Sequence, residues 1–435
     1  MSMGPQQTIL TALEIGTSKV TAMIARINED DQVQIIGVGT QPSYGMKKGV
    51  IVNIEATVAS IQKAVADAQN MAGVPIKAVT VSISGAHVHG FNSTGVVAIT
   101  NHEVTENDID RVIEAAKAVA IPADQRILHI LPQEFLIDNQ GGIREPLGMS
   151  GVRLEAKVHM ITGSVTAIQN NIKCAAQCGL EVSDVVLSQL AASDAVLTED
   201  ERELGVCLID IGGGTTDIAV FTDGAITHTA VLPIGGAQVS NDLAHALRSP
   251  LQFAENIKLR HGTALSAEIH PQDSIEIPGM LDRPGKILAL QTVAQVIESR
   301  YEELLSLVKQ DLNNAGLTSH LAAGIVLTGG GSKLPGLIEL AESIFRMPVR
   351  LGSPQGFLGL KEVISDPIYS TCAGLLSYTH QQMSHGELAE SCVMADSDEQ
   401  SSRSARSPRS SGSSGSSQAL SNQLSKVKSW FSKYF

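Results

Sequence analysis

The sequence predicts an α/β protein of two lobes facing each other across a cleft, followed by a tethered amphipathic helix. Three observations predict this. Ala12 to Val20 reads ALEIGTSKV and Leu208 to Ala219 reads LIDIGGGTTDIA, one pattern occurring twice. A third glycine cluster, Gly329 to Gly331, follows the apolar run GIVLT. The last fifteen residues, SNQLSKVKSWFSKYF, hold the only tryptophan of the chain and follow a serine-rich stretch.

Each copy of the repeat begins as an apolar strand, passes a carboxylate (Glu14 or Asp210), an isoleucine and a glycine turn, and continues as a second strand. A third strand follows the polar turn at Asn28 to Gln32 or at Asp223-Gly224. A supersecondary unit present twice, with a glycine-rich tip each time, gives two lobes and a cleft between the tips. Gly16, Gly212, Gly213 and Gly214 leave backbone N–H groups bare, and Thr17, Ser18, Thr215 and Thr216 add hydroxyls, a combination suited to phosphate oxygens. Glu14, Asp210 and Asp217 are expected to accept hydrogen bonds from the waters of a Mg2+ ion, which gives up its hydration reluctantly. Gly329, Gly330 and Gly331 would let a flat base lie against the backbone, although an ordinary strand-to-helix turn before Pro335 has the same composition. No GxxxxGK[ST] loop is present, which disfavours a P-loop NTPase.

With 435 residues the chain has room for two or more domains. Its charge is divided unevenly. Residues 401–435 carry six Lys/Arg and no Asp/Glu, leaving 25 Lys/Arg against 45 Asp/Glu, a net −20, on the rest. A body so acidic repels nucleic acid and anionic lipid, so nucleic acid is not an expected partner and only the tail is drawn to a membrane. The opening MSMGPQQTIL does not read as a leader, and no apolar run reaches eighteen residues, so a cytoplasmic location is expected. The five cysteines are scattered; Cys174 and Cys178 share a helix face but lack the second ligand pair that zinc needs, and read as buried thiols.

On a helical wheel Leu424, Val427, Trp430, Phe431, Tyr434 and Phe435 fall within an arc of about 140°, with Lys426 and Lys433 opposite. Lys428 sits at the border, where its stem can snorkel. Such a basic and aromatic helix lies in a membrane interface, with docking on the protein's own core or a partner helix as the alternative. Residues 401–417 contain ten serines, two glycines and one proline, which cannot bury enough surface to fold. A coil over residues 396–420 reaches roughly 25 to 30 Å, a tether rather than a core element.

In their order, ALEIGTSKV, LIDIGGGTTDIAV and VLTGGGSKLPG resemble the phosphate-one, phosphate-two and adenosine motifs of the actin, sugar kinase and DnaK-type chaperone superfamily. That resemblance implies an ATP–Mg2+ site between two ribonuclease-H-like lobes. GGAQVSNDLAHAL followed by AENIK resembles the superfamily's second-lobe helices, which would bring Glu255 and Lys258 to the ribose and adenine edge; read alone they are a solvated pair. Ser82 to Thr162, with SISGAHVHGFNSTGVVAI and RILHILPQEFLIDNQGGIREPLGMSGVRLEAKVHMIT, resembles the inserted α+β subdomain of the FtsA family, actin-related cell division proteins of bacteria. The likeness runs from Thr8 to about Tyr378, and the family also ends in a linker and an amphipathic helix.

The resemblance implies first-lobe segments at 1–81, 163–203 and 359–380, with the insertion at 82–162. It implies an inner second lobe at 204–236 and 321–358, an outer one at 237–320, a disordered linker at 381–420 and the membrane helix at 421–435. It also implies binding of the C-terminal peptide of tubulin-like FtsZ by the outer second lobe, self-assembly into actin-like filaments, recruitment of later division proteins, and residence on the cytoplasmic face of the inner membrane at the septum. Arg300 is a candidate for the acidic FtsZ peptide, and an ion pair with Glu303 or Glu298 accounts for it equally. Gln189 stands where the superfamily places a water-orienting residue, but Leu190 replaces the proline common in actins, and Glu14 replaces the usual aspartate. Tight ATP binding with slow or conditional hydrolysis is therefore expected. A small-molecule kinase of the same superfamily would need a catalytic Asp in the first lobe that the sequence does not single out. A pilus-assembly adaptor would share the insertion without needing the tail, and the residues after Thr379 are too few for a chaperone's peptide-binding domain.

Overall fold

The computed structural model describes residues 8–277 and 286–384. Residues 385–420 of the predicted linker and the terminal helix, with Leu424, Val427, Lys428, Trp430, Phe431, Tyr434 and Phe435, lie outside these residues, whereas 381–384, expected to belong to the disordered linker, form the end of the last described helix, with Gln382 buried.

The chain opens with an antiparallel meander, β1 (Ile9–Ile15), β2 (Lys19–Ile27) and β3 (Val33–Pro42), then a short ribbon, β4 (Met46–Lys47) and β5 (Val50–Ile51). The Asn28 side chain accepts from the N–H groups of Asp30 and Gln32, which fixes the polar turn between β2 and β3. Helix α1 (Ile54–Ala72) starts where the Asn53 side chain accepts the Ala56 N–H and stops at Gly73, then β6 (Ala78–Ile83) lies parallel to β1. The insertion follows as β7 (His89–Ala98), α2 (Glu106–Lys117), β8 (Gln125–Ile137), β9 (Gln140–Ile143) and β10 (Arg153–Ser164). The first lobe resumes with α3 (Val165–Gln177), β11 (Glu181–Leu187) and α4 (Ser188–Val196), and α5 (Glu199–Leu204) leads into the second.

There a second meander, β12 (Val206–Ile211), β13 (Thr216–Thr222) and β14 (Ala225–Leu232), precedes α6 (Gly236–Leu247) and α7 (Leu251–His261). The ribbon β15 (Ser274–Ile277) and β16 (Lys286–Ala289) leads to the long α8 (Leu290–Asn314), then β17 (Gly324–Thr328), α9 (Leu337–Phe345) and β18 (Val349–Leu351). The chain returns to the first lobe with β19 (Leu358–Gly359), α10 (Lys361–Ile364) and α11 (Ser370–Ser384).

The sheets show the duplication. Strand order is β3-β2-β1-β6-β11 in the first lobe, with β19 added beside β3, and β14-β13-β12-β17-β18 in the second. In both, a meander is extended by parallel strands that need helical crossovers. Helices α4 and α11 lie between the lobes, and one apolar core joins Leu10 and Met23, Leu190 and Leu375, and Leu208 and Phe221. The outer faces are covered separately, the first by α1 and α3, the second by α6 to α9. The insertion is a sheet of order β7-β10-β8-β9 with a core of its own that includes Val112, Phe135, Leu154 and Met160.

The insertion also reaches the second lobe. The Nδ1 of His159 on β10 lies 2.7 Å from Asn92 Oδ1 and its Nε2 2.9 Å from the Thr229 hydroxyl on β14, with only 1% of the residue exposed. Burial, with a smaller push from His228, lowers the His159 pKa from 6.5 to about 3. His228 is itself paired with Asp311 on α8. The folded protein thus holds His159 neutral while the unfolded chain protonates it. Its contribution is complete above pH 6.5 and falls by about 1.4 kcal/mol per unit as pH drops from 6.5 toward 3. Urea midpoints between pH 7 and pH 5 should show that slope, and His159→Gln should flatten it.

Candidate functional site

The two glycine tips are built alike and meet. The Gly16 N–H donates to the Lys19 carbonyl and the Gly212 N–H to the Thr215 carbonyl, each at 2.9 Å. Glu14 stands opposite Thr21 across one hairpin as Asp210 stands opposite Asp217 across the other. A Cβ on Gly213 would lie 2.6 Å from Ser18 Cβ, and one on Gly214 would lie 2.6 Å from Thr17 Oγ1. Bare backbone at these positions is what lets the lobes touch.

Behind the tips lies a cavity of about 590 Å³ lined from both lobes. At its inner end Lys19 Nζ donates to Glu14 Oε2 at 2.7 Å, Thr371 donates to Asp210 at 3.0 Å, and Ser84 and Thr215 both donate to Asp217. Burial, and then the Glu14 carboxylate, push Asp210 up to about 6, against the pull of Thr371 and Lys19. Burial, and then Asp210, push Asp217 up to about 7, against the hydrogen bonds from Ser84 and Thr215. Three carboxylates thus share a floor whose nearest cation is Lys19, leaving it short of positive charge. Among the described residues no group of three acidic, histidine or cysteine side chains is placed to grip a metal directly. This donor set fits an ion that keeps its waters, as Mg2+ does, and does not fit a fully protein-ligated one.

At the other end Lys258 Nζ donates to Glu255 at 2.8 Å, to the Ser240 hydroxyl oxygen at 2.9 Å and to the Gly236 carbonyl at 3.0 Å. Tyr301 on α8 donates to the Gly331 carbonyl at 2.9 Å, anchoring the third glycine cluster. Leu259, Leu334, Pro335 and Ile368 supply apolar walls.

Of the residues singled out in sequence, Glu14, Gly16, Thr17, Ser18, Asp210, Gly212 to Thr215, Asp217, Glu255, Lys258 and Gly329 to Gly331 all line this cavity. Thr216 does not. Its hydroxyl donates to the Ile234 carbonyl, because alternate residues of a strand face opposite sides and Thr215 and Asp217 take the cleft side. Gln189 is also outside the cavity, fully buried, with its amide 3.4 Å from the Ala230 carbonyl of β14; its neighbour Ser188 lines the cleft instead. Arg300 lies on α8 far from the tips in sequence, paired at 2.5 Å with both Asp242 and Glu303 beside a separate groove of about 390 Å³. Lys19, Ser84, Tyr301 and Thr371 belong to the cleft and sequence reading does not single them out. Only Lys19 carries a signal, as a cation just past a glycine tip in an apolar hairpin.

A family model described as "Cell division protein FtsA" matches residues 207–374, and one described as "SHS2 domain inserted in FTSA" matches residues 85–162. The cell division protein FtsA of Pseudomonas aeruginosa is 56% identical over 378 residues, covering 87% of this chain and 91% of the relative. The chain belongs to the FtsA family. FtsA of Escherichia coli K12 is 45% identical over 386 residues, covering 87% of this chain and 92% of that protein. The protein is accordingly a cell division protein. Among solved structures, the chain resembles one titled "PilM-PilN type IV pilus biogenesis complex" with a TM-score of 0.62 at 16% identity, covering 85% of this chain and 98% of that one. It resembles MreB5 of Spiroplasma citri bound to ADP with a TM-score of 0.52 at 16% identity, covering 87% and 99%. These likenesses establish the actin-like fold of the chain, with the SHS2 subdomain inserted in the first lobe between β6 and α3.

Proposed function

We propose that this member of the FtsA family binds ATP with Mg2+ between its lobes, assembles into actin-like filaments, and tethers FtsZ to the inner membrane through its C-terminal helix. The observation that carries the nucleotide reading is the meeting of two matched glycine tips at the carboxylate floor of a cavity of about 590 Å³, within the roughly 300–1,000 Å³ usual for small-molecule sites. The tips of both hairpins bind the phosphate chain through backbone N–H groups and the hydroxyls of Thr17, Ser18 and Thr215. Glu255 and Lys258 would hold the ribose and the base edge, and Gly329 to Gly331 with Leu334 would supply the surface for the base. Glu14, Asp210 and Asp217 orient the waters of the metal, which, when bound, neutralises phosphate charge. Gln189 is buried against Ala230. That leaves it out of place to orient an attacking water, so turnover is slow or conditional.

The outer second lobe takes the acidic FtsZ peptide at the groove beside Arg300, the peptide competing with Asp242 and Glu303 for the guanidinium. Later division proteins are recruited partly through the inserted subdomain. Co-sedimentation of the ATP-loaded protein with anionic vesicles and FtsZ tests this reading. FtsZ should pellet with vesicles only when both this protein and ATP are present, and FtsZ left in the supernatant rejects the tether. Steady-state phosphate release at about 10 s⁻¹, an ordinary enzymatic rate, would reject slow turnover.

A further inference from the structure

Strand β14 is the edge of the second-lobe sheet, and its free side is fastened by side chains from elsewhere. Asn92 on β7 donates to the Thr227 carbonyl at 3.2 Å, and Gln133 on β8 donates to the Ile226 carbonyl at 3.0 Å. His159 meets the Thr229 hydroxyl, and Gln189 of α4 donates to the Ala230 carbonyl. At the rim, Arg144 of the insertion pairs with Glu203 at 2.5 Å and donates to the Asp223 carbonyl at 2.9 Å. The fit is close. A Cβ on Gly90 would lie 2.2 Å from Thr229 Oγ1 and 2.8 Å from His159 Nε2.

The insertion is joined covalently to the first lobe at both of its ends, after β6 and before α3. It therefore spans the two lobes, by chain on one side and on the other by hydrogen bonds beside a few apolar side chains, Leu131 and Ile161 sharing a buried cluster with Ile226. The hydrogen bonds of such a seam are each of small net worth, so it can part more readily than a wholly apolar contact.

We propose that the inserted subdomain is a strap that limits how far the lobes swing apart, and that its hold on β14 sets how fast the cleft releases its ligand. The first half stands on the seam alone; the second rests on the nucleotide reading above. The strap gives the insertion a means of reporting the state of the cleft, since any change in lobe spacing has to slide or open the seam on which β7, β8 and β10 sit.

The test is the double variant Asn92→Ala/Gln133→Ala in the full-length protein, Asn92 being exposed and Gln133 half-buried, with Gly90→Ala as an independent wedge. Each lost hydrogen bond weakens the seam by a factor of roughly 2 to 10. Amide exchange across residues 225–232 of the ligand-free protein should rise in both variants. Release of a fluorescent ADP analogue from the double variant should be roughly 4- to 100-fold faster than from wild type. Unchanged exchange in both variants overturns the strap whatever the ligand does. Raised exchange with unchanged release overturns the coupling to the cleft. Wild-type protein that binds no ADP at all removes the nucleotide reading and that coupling with it, and the exchange measurement still decides the strap.

Discussion

Replacing Trp430 and Phe431 with glutamate is expected to leave the protein in the supernatant when anionic vesicles are sedimented. On a helical wheel Trp430 falls at one edge of the apolar arc of the proposed terminal helix and Phe431 near its middle, with Lys428 and Lys433 close by in sequence. Partial burial of two aromatic rings contributes about 3 kcal/mol, and each basic residue near an anionic surface adds about 1 kcal/mol. The double substitution removes the first contribution and sets two negative charges against the three lysines of the helix. The combined loss is about 5 kcal/mol, more than a thousandfold in binding. On the proposed membrane reading, a helix of fifteen residues is marginal in water, so the tail would spend part of its binding energy on folding at the lipid surface. One tail would then be a weak anchor. A filament presenting many tails makes later contacts intramolecular and raises avidity by ~10²–10⁴, so wild-type sedimentation should itself increase under conditions of assembly. Unchanged pelleting of the double variant excludes the tail as the anchor.

The repeated hairpin was legible because its chemistry is local. A carboxylate, an isoleucine and a glycine tip within a few residues define both strands and the turn, and the paired registers Glu14–Thr21 and Asp210–Asp217 follow. The same period-two logic, carried one step further, separates Thr216 from Thr215 and Asp217. Gln189 was not legible in this way. Helix α4 is buried nearly all round, from Ser188 to Ser193, so no polar face marks which residue looks into the cleft. Ser84 and Thr371 reach Asp217 and Asp210 from segments more than a hundred residues away in sequence, and Tyr301 reaches Gly331 from thirty residues earlier, on α8. Nothing in their local sequence carries that information; it comes from the packing of α8 and α11 against the two sheets. The seam on β14 is hidden for the same reason, since Asn92 and Gln133 look like ordinary exposed residues of two strands.

Arg202→Ala is expected to destabilise the protein by about 3–5 kcal/mol, a large part of the roughly 5–15 kcal/mol that holds a typical domain folded. Arg202 lies on α5, where the chain passes from the first lobe to the second, and it is almost fully buried. It pairs with Asp194 of α4 at 3.1 Å, the two side chains being 7% and 1% exposed. The same guanidinium donates to the Ser193 carbonyl at 2.8 Å and lies 4.7 Å from the centre of the Phe221 ring on β13. Three elements at the crossing are thus held by one side chain. Truncation leaves the Asp194 carboxylate deep in the core without this cation and removes the packing against Phe221. Replacing the pair together, with Arg202→Met and Asp194→Leu, removes the stranded charge and should recover most of the loss, because buried pairs contribute little relative to apolar groups of similar volume. Urea denaturation of the two variants separates these effects. A loss below about 1 kcal/mol for Arg202→Ala would mean that other groups balance Asp194.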